Sequence, residues 1–264
     1  MIRIAYNLDD TNGSTIVASS TYNSDFPGRN VILNQIGRPW RSSTPIATPE
    51  TVAFDMGSAK SKNMAAIFGH NFSASAVVKL QRSPDNSAWT DVGTFTIATD
   101  ADSNVLPRCV LYFSAISYRY WRIHITDASN ADGYINIGRI VIETYYEPDR
   151  NFTDDYSIDL VDPSEQQRTS GAEPIFRQLD VYRRAVVKFD FADDTQRRKF
   201  MTIFYKVKTV KPMVISLDPT NASANTIVEE TLYCSFVTPM RLITALVNQH
   251  TITGIVFEER VSGL

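Results

Sequence analysis

The sequence contains few of the residues that form disulfides and metal centres. Among its 264 residues there are two cysteines and three histidines. Cys109 and Cys234 lie far apart, in what are described below as separate domains, so we predict two buried thiols in a reducing compartment and no structural disulfide. His70, His124 and His250 lack the spacing of zinc ligands, some of which usually lie close together in sequence. We expect each histidine to be structural or solvated.

Long apolar runs and a strong excess of one charge are also missing. No stretch approaches the ~20 apolar residues of a membrane-spanning helix. The first residues lack the apolar core of a secretory signal, so we expect a protein that folds where it is made. The 26 basic and 29 acidic residues give a net charge of −3, which provides no electrostatic reason to bind nucleic acid. With 43% hydrophobic and 21% charged residues, the composition is typical of a soluble globular protein.

The short motifs of common enzyme classes are absent as well. There is no Gly-x-Gly-x-x-Gly motif, no Walker loop and no Gly-x-Ser-x-Gly element. The adjacent acidic doublets are expected to be solvated rather than to form a glycosidase pair. We therefore predict that the protein is not an enzyme and has no cofactor. A structural calcium ion stays open, held by Asp100 with Asp102 or by Asp127 with Asp132.

Alternation of apolar and polar residues predicts β-strands through the first half of the chain. Trp121, Ile123 and Ile125 alternate with polar residues, which is typical of an antiparallel strand with one buried face. Further strands are predicted at residues 51–56, 64–69, 76–82, 89–92, 94–98 and 109–113. The apolar phase shifts at Gly138, which predicts a β-bulge or a sharp bend that keeps the isoleucines on both sides buried. Short strands at this spacing indicate a β-sandwich.

A polar, proline-containing segment at residues 147–151 has no periodicity and predicts a domain boundary. We predict a first domain over residues 1–147, with its core at 20–147, and a second domain over residues 148–264. The fold class expected from this pattern is mostly β. It combines the N-terminal sandwich with a smaller C-terminal antiparallel β-domain that carries one short helix.

The helix of the second domain is predicted from apolar residues at helical spacing between Phe200 and Val207. Asp193 or Asp194 is placed to cap its start, and Pro212 bars its continuation. Strands of this domain are predicted at residues 183–191, 213–217, 231–236, 242–247 and 251–258.

Short motifs follow one another in the first half in a definite order. They are Arg38-Pro39-Trp40-Arg41-Ser42-Ser43, Phe54-Asp55-Met56-Gly57, Ile67-Phe68-Gly69-His70-Asn71 and Tyr118-Arg119-Tyr120-Trp121-Arg122-Ile123. This ordered set resembles the galactose-binding-like, or discoidin (coagulation-factor type C), jelly-roll domain. The resemblance implies that these motifs mainly build a sandwich, and that ligands contact loops at one end, here residues 22–29, 38–44 and 71–74. The paired cysteines common in secreted members are missing.

The same resemblance implies Arg38, Trp40, Arg41 and Asn71 as candidate ligand-binding residues. A pyranose offers an apolar face and a rim of hydroxyls, on which tryptophan can stack and to which arginine can hydrogen-bond. The alternative that we favour places Trp40 in the core and lets the arginines brace backbone carbonyls.

The Gly-His-Asn turn and the Trp-Arg-Ser-Ser element also resemble versions of this domain in bacteriophage tail proteins, and the second half resembles tail-tip material in its element order. This implies a non-enzymatic structural component of a phage tail tip that builds or decorates a distal-tail or baseplate ring. Expected partners are other tail proteins, further copies in a homo-oligomeric ring and a host-surface glycan, with no nucleic acid and no membrane insertion. The location implied is the virion, after synthesis in the host cytoplasm.

Assembly contacts in such a ring are predicted at Tyr182 and Tyr205, whereas core packing is expected for Phe200. The alternative function is a carbohydrate-binding module that binds host glycans through end loops of the sandwich. A glycan depolymerase ranks below both, because neither an elongated repeat domain nor a clustered acidic cleft is evident.

Overall fold

The computed structural model describes residues 1–44, 49–152, 156–168, 170–246 and 249–261. The chain divides into two compact units, Met1–Glu147 with Met213–Leu232, and Pro148–Pro212 with Tyr233–Leu264. Both units are built mainly from antiparallel strands, which confirms the mostly β fold class with a sandwich and a smaller β-domain. Residues 213–232 group with the first unit, whereas a single boundary at residue 147 would assign them to the second domain. The division into domains 1–147 and 148–264 therefore stays a prediction.

The elements are named here in chain order. The first 147 residues contain β1 (Arg3–Ala5), α1 (Asp9–Asn12), β2 (Thr15–Ala18), a 3-10 turn (Gly28–Ile32), β3 (Trp40–Arg41), β4 (Glu50–His70), β5 (Val77–Ser83), β6 (Thr90–Thr94), β7 (Arg108–Thr126) and β8 (Asn136–Glu143). The remainder contains β9 (Ser157–Val161), β10 (Glu165–Arg168), β11 (Pro174–Arg177), β12 (Tyr182–Ala192), α2 (Asp194–Val207), β13 (Met213–Ser216), α3 (Ala224–Glu229), β14 (Thr231–Phe236), β15 (Arg241–Leu246) and β16 (Gln249–Glu259). No helix in the described residues combines the length and apolarity needed to cross a membrane.

The first unit is organised around two long strands. The main sheet has the order β3-β8-β4-β7-β5-β6, with β2 also paired to β4, and its ladders are antiparallel. The sequence predicts separate strands at 51–56 and 64–69, and at 109–113 and 118–126, whereas each pair is one continuous strand. The apolar alternation breaks because β4 and β7 shift register between Asp55 and Lys60 and between Lys62 and Met64. Only Thr94 of the predicted strand 94–98 lies in a strand.

Strand β8 is buried on both faces, and the predicted bulge at Gly138 is wrong. The β4–β8 register runs from Met64–Glu143 to His70–Ile137 without a shift. The isoleucines before and after Gly138 lie on odd and even positions respectively, and all are fully buried: Ile135, Ile137, Ile140 and Ile142. Gly138 serves close packing, because a Cβ there would collide with Ile36, as would one on Gly69, whose φ is +67°.

Charged residues on β4 and β8 form a buried network instead of facing solvent. The Lys62 ammonium pairs with the Glu143 carboxylate and lies 2.8 Å from Asp10 Oδ2. The backbone N–H and hydroxyl of Thr11 donate to Glu143 Oε1, each at 2.8 Å. Burial raises the pKa of Glu143, an effect that Lys62 opposes. The network ties α1 to the middle of the sheet.

The second unit is centred on β16, which pairs with β12, β15 and the end of β14, while β9 pairs with the other edge of β12. Helix α2 occupies the predicted residues, and the carboxylate of its N-cap Asp193 accepts a hydrogen bond from the Gln196 N–H at 2.7 Å. Phe200 is buried, and its ring lies 4.6 Å from that of Phe189. Helix α3, capped by Ser223, is a second helix in the C-terminal half that the sequence pattern does not predict.

Cys109 and Cys234 are buried free thiols, as the sequence predicts. Burial in apolar surroundings raises the pKa of both. His250 is also buried, between Asp194 and Thr244, and His124 lies on the polar side of β7.

The buried His70 makes folding sensitive to acid. Its side chain stacks on Phe72 with ring centroids 4.1 Å apart, and burial lowers its pKa from 6.5 to about 3. Below pH 6.5 the unfolded chain therefore binds a proton that the folded chain does not, and stability falls as the pH decreases towards 3. At pH 4.5 this amounts to about 3 kcal/mol, from about 1.4 kcal/mol per pH unit.

We expect His70→Phe to remove this contribution. Denaturant unfolding of the wild type and the variant at pH 7 and pH 4.5 measures it, since other titrating groups are common to both proteins. The wild type should lose about 3 kcal/mol more than the variant between the two pH values. Equal losses would contradict a neutral, buried His70.

Candidate functional site

Three segments of the first unit meet around β3. The Tyr22 N–H donates to the Arg41 carbonyl at 2.9 Å, and the Arg41 N–H donates to the Phe26 carbonyl at 3.4 Å. On the other side, the Ser42 N–H donates to the Ile135 carbonyl at 2.9 Å, and the Ser42 hydroxyl accepts from the Ile135 N–H at the same distance. The chain at residues 22–26, at 41–42 and before β8 is therefore held together by backbone hydrogen bonds.

Trp40 is a core residue. It is fully buried, pairs with Ile137 of β8, and donates its indole Nε1–H to the Ser20 carbonyl at 2.9 Å. Because the indole has no exposed face and its one donor is used, the expectation that Trp40 contacts a ligand is corrected. Its role is to hold the segment before Tyr22 against the sandwich.

Arg41 projects to the opposite side of β3, since successive side chains of a strand alternate. Its guanidinium carbon lies 4.2 Å from the ring centroid of Tyr22 and 3.6 Å from that of Tyr134. The side chain is half-buried, and its Nε has no hydrogen-bond partner. Arg41 therefore does not brace a backbone carbonyl through this nitrogen, as the favoured alternative supposed, but stands between two aromatic faces.

A pocket of about 370 Å³ lies beside this cluster. It is lined by Ser24, Asp25, Phe26, Pro27, Asn30, Gly37, Arg38 and Pro39. The buried Asn30 fixes its base, because its Nδ2 donates to the carbonyls of Asp25 at 3.2 Å and Pro39 at 2.9 Å. Arg38 and Asp25 are both exposed, so the lining presents a cation and a carboxylate.

The pocket and the arginine cluster adjoin through Phe26. Its ring meets the Tyr22 ring edge to face, with centroids 6.3 Å apart, and its carbonyl accepts from Arg41. The Tyr22 side chain is 49% exposed, which leaves part of its surface open to a ligand. Exposed aromatic surface, guanidinium donors and a carboxylate together can bind a polyhydroxylated ring.

Asn71 has a structural role. Its Nδ2 donates to Asp132 Oδ2 at 2.8 Å and to the Tyr134 carbonyl at 3.0 Å, and its Oδ1 accepts from the Asn136 N–H at 2.8 Å. Both amide donors and one of the two acceptor sites are thus used within the protein, and Asn71 positions the segment that carries Tyr134. Its predicted contact with a ligand stays a prediction.

The candidate calcium carboxylates are engaged with donors of the protein. Asp127 accepts from the Ser73 N–H and hydroxyl and from Asn130, and Asp100 accepts from the N–H groups of Asp102 and Asn104. In the described part of the chain, no group of three or more histidine, cysteine, aspartate or glutamate side chains is arranged to hold a metal ion.

The predicted assembly residues lie in the second unit and stay a prediction. Tyr205 on α2 is 70% exposed, whereas Tyr182 at the start of β12 is half-buried.

Solved structures similar to this chain include carbohydrate-binding modules. No protein-family model matches the chain, and no curated protein sequence does. Similar solved structures include chitosan-binding module 1 from a chitosanase/glucanase of Paenibacillus sp. IK-5, which is 19% identical, with coverage of 55% of this chain and 99% of that chain and a TM-score of 0.42.

Two further similar structures come from Clostridium perfringens. The family 32 module of NanJ, in complex with galactose, is 19% identical, with coverage of 55% and 99% and a TM-score of 0.41. A family 32 module bound to GalNAc-β-1,3-galactose is 13% identical, with coverage of 52% and 98% and a TM-score of 0.41. At TM-scores below 0.5, the likeness does not assign these ligands to the present protein.

Sequence reasoning missed Tyr134 and Asp25 as site residues. Tyr134 lies 93 positions from Arg41, and the two meet because β3 pairs with β8 at Trp40–Ile137 and Arg41–Asn136. That register is a property of the folded sheet, so no local motif signals the contact.

Replacing Trp40 tests its assignment to the core. We expect Trp40→Ala to lower the free energy of unfolding by about 3–5 kcal/mol, because it removes a buried indole and leaves a cavity. Denaturant unfolding measures this loss. Tyr22→Ala, at a partly exposed ring in the same cluster, is the comparison and should lower the free energy of unfolding by less than about 1 kcal/mol. A Trp40→Ala protein as stable as the wild type would show that the indole is not a core anchor.

Proposed function

We propose that the protein is a non-catalytic carbohydrate-binding protein whose site is formed by Tyr22, Arg41, Tyr134 and the adjoining pocket. The observation that carries the proposal is the guanidinium of Arg41 between two tyrosine rings, one of them half exposed, beside a pocket lined by Arg38 and Asp25. The segments 22–29 and 38–44, implied by the resemblance to galactose-binding-like domains, supply most of these residues.

The chemistry of a sugar ring fits this arrangement. The C–H face of a pyranose packs on an aromatic ring, and its hydroxyls exchange hydrogen bonds with charged side chains. Asp25 can accept from hydroxyl groups, while Arg38 and Arg41 donate to hydroxyl or ring oxygens. The volume of about 370 Å³ accommodates one or two sugar rings.

A glycan array followed by calorimetry tests this function. Tyr22→Ala and Tyr134→Ala should weaken binding of the best array ligand by several-fold to about tenfold each, because each removes an aromatic surface. Tyr120→Ala is the matched control, since Tyr120 also stacks on an arginine, Arg119, but lies on β7 opposite Asp55 of β4 and not on the segments that form the site. Absence of any glycan ligand, or equal losses in all three variants, would refute the assignment.

A second candidate function is structural, as a subunit of a phage tail tip in the virion. The tail-tip setting comes from the sequence resemblance. The specific observation in its favour is the hairpin of β10 and β11, whose eight residues are all exposed. Ile175 and Phe176 on this hairpin are 57% and 68% exposed. An isolated two-stranded hairpin is marginally stable in water, so this one is suited to packing against another subunit.

Assembly of this kind is compatible with glycan binding, because the hairpin belongs to the second unit and the pocket to the first. A heterologous contact repeated between copies closes into a ring when its rotation permits. Tyr205 and Leu160, the latter on the outer strand β9, are further exposed apolar residues of the second unit.

Self-association tests the second candidate. We expect the wild type to form oligomers. In a protein with both Ile175→Asp and Phe176→Asp, the affinity of self-association should be at least about tenfold lower, because two charges replace apolar contacts. Val17→Asp, at a side chain that is 65% exposed in the first unit, is the control for adding a surface charge. Mass photometry over a concentration series provides the measurement. A wild type that stays monomeric throughout would refute the ring.

A further inference from the structure

We propose that Arg41 makes this site selective for acidic glycans, in which a carboxylate or phosphate group is attached to the sugar. This inference rests on the proposed glycan-binding function and names the class of ligand. The juxtaposition that carries it is the half-buried Arg41, whose guanidinium lies over the rings of Tyr22 and Tyr134 and whose buried Nε has no hydrogen-bond partner in the described residues.

Three of the four other stacked arginines in this unit also hold a side-chain acceptor, whereas Arg82, over Tyr118, has none among the described residues. Arg3, Arg119 and Arg122 each lie over an aromatic ring, and each also donates to a side-chain oxygen. These acceptors belong to Glu147, Asp55 and Gln81, at 2.7–2.8 Å from the donor nitrogens. Stacking leaves the N–H groups in the guanidinium plane unbonded, so an in-plane acceptor completes the interaction.

Arg41 lacks this second partner although, like Arg3, it lies over two aromatic rings. The aromatic faces fix its plane before any ligand arrives, which reduces the entropy lost on binding. A planar, preorganised guanidinium matches the two oxygens of a carboxylate or phosphate in bidentate fashion. Neutral hydroxyls offer no such pair of charged acceptors.

The charged side chains near Arg41 are of both signs. Arg38 adds a second exposed guanidinium to the adjoining pocket. Of the nearby carboxylates, Asp132 is hydrogen-bonded to Asn71 at 2.8 Å, and Asp25 lines the pocket without an ion pair in the described residues. Asp25 is thus placed to accept from sugar hydroxyls, while the two arginines address the acidic group.

The experiment uses matched pairs of glycans that differ in charge alone. Suitable pairs are oligogalacturonate with its carboxyl-reduced form, a sialylated with the desialylated oligosaccharide, and a phosphorylated with the dephosphorylated oligosaccharide. Calorimetry on the full-length wild type should give at least about tenfold tighter binding for the acidic member of one pair, with affinity falling as salt increases. The pair that responds distinguishes carboxylate from phosphate.

Variants assign the selectivity to a residue. Arg41→Gln should remove most of the preference while retaining binding of the neutral member, and Arg41→Lys, which keeps the charge but loses the fork, should fall between the two. Arg82→Gln is the matched control, because Arg82 is a half-buried arginine over a single ring, that of Tyr118, and lies on β5 rather than on the segments that form the site. It should bind like the wild type.

The outcomes separate this inference from the function on which it rests. Equal binding of both members of every pair by the wild type overturns the acidic preference and leaves carbohydrate binding intact. Binding of neither member in any glycan tested overturns both. A preference for acidic glycans that Arg41→Gln does not alter, in a variant with the circular dichroism of the wild type, overturns the role of Arg41. The comparison of acidic and neutral glycans uses the wild type alone. It can therefore refute the proposal even if a variant fails to fold.

Discussion

The burial of Trp40 is the constraint on which the candidate site depends. Its indole occupies the core and holds the Ser20 carbonyl, and Ser20 in turn accepts from the Ser43 N–H and donates to the buried Glu50. Alternation along β3 then directs the next side chain, Arg41, away from the core. One apolar anchor thus sets both the path of the segment leading to Tyr22 and the direction of the guanidinium. The tryptophan of this element thus supports the fold, while the side chain of the next residue points away from the core.

Much of the fold follows from local patterns in the sequence. The alternation of Trp121, Ile123 and Ile125 correctly identifies a strand with one buried face, and helical spacing with an N-terminal aspartate correctly places α2. Local patterns fail where burial is two-sided. In β8 both faces are covered, so apolar residues occupy odd and even positions alike. The sequence pattern then changes phase as it would at a bulge, although the strand is regular. The buried ion pair of Lys62 and Glu143 interrupts the alternation in the same way.

The candidate site is predictable to a smaller extent than the fold. The resemblance implies the segment that carries Arg38 and Arg41, whose role in binding stays a prediction, but it does not separate residues that face a ligand from those that hold the loops. That distinction depends on hydrogen bonds between distant segments, such as those of Asn71 to the segment that carries Tyr134. Pairing between β3 and β8 brings Tyr134 to Arg41, and strand register is decided by the whole sheet rather than by any short motif.

The contact of Gly69 and Gly138 with Ile36 limits which residues related chains can hold at these positions. The two glycines lie side by side on adjacent strands, and the same branched side chain covers both, so the three positions share one small volume. At Gly69, a smaller residue at position 36 would relieve the clash but not the strain of the positive φ. At Gly138, an added Cβ would lie 2.5 Å from the backbone oxygen of Ile36, a clash that no change of side chain at position 36 removes. In related chains both positions should therefore remain glycine, because only glycine fits where this loop crosses the sheet.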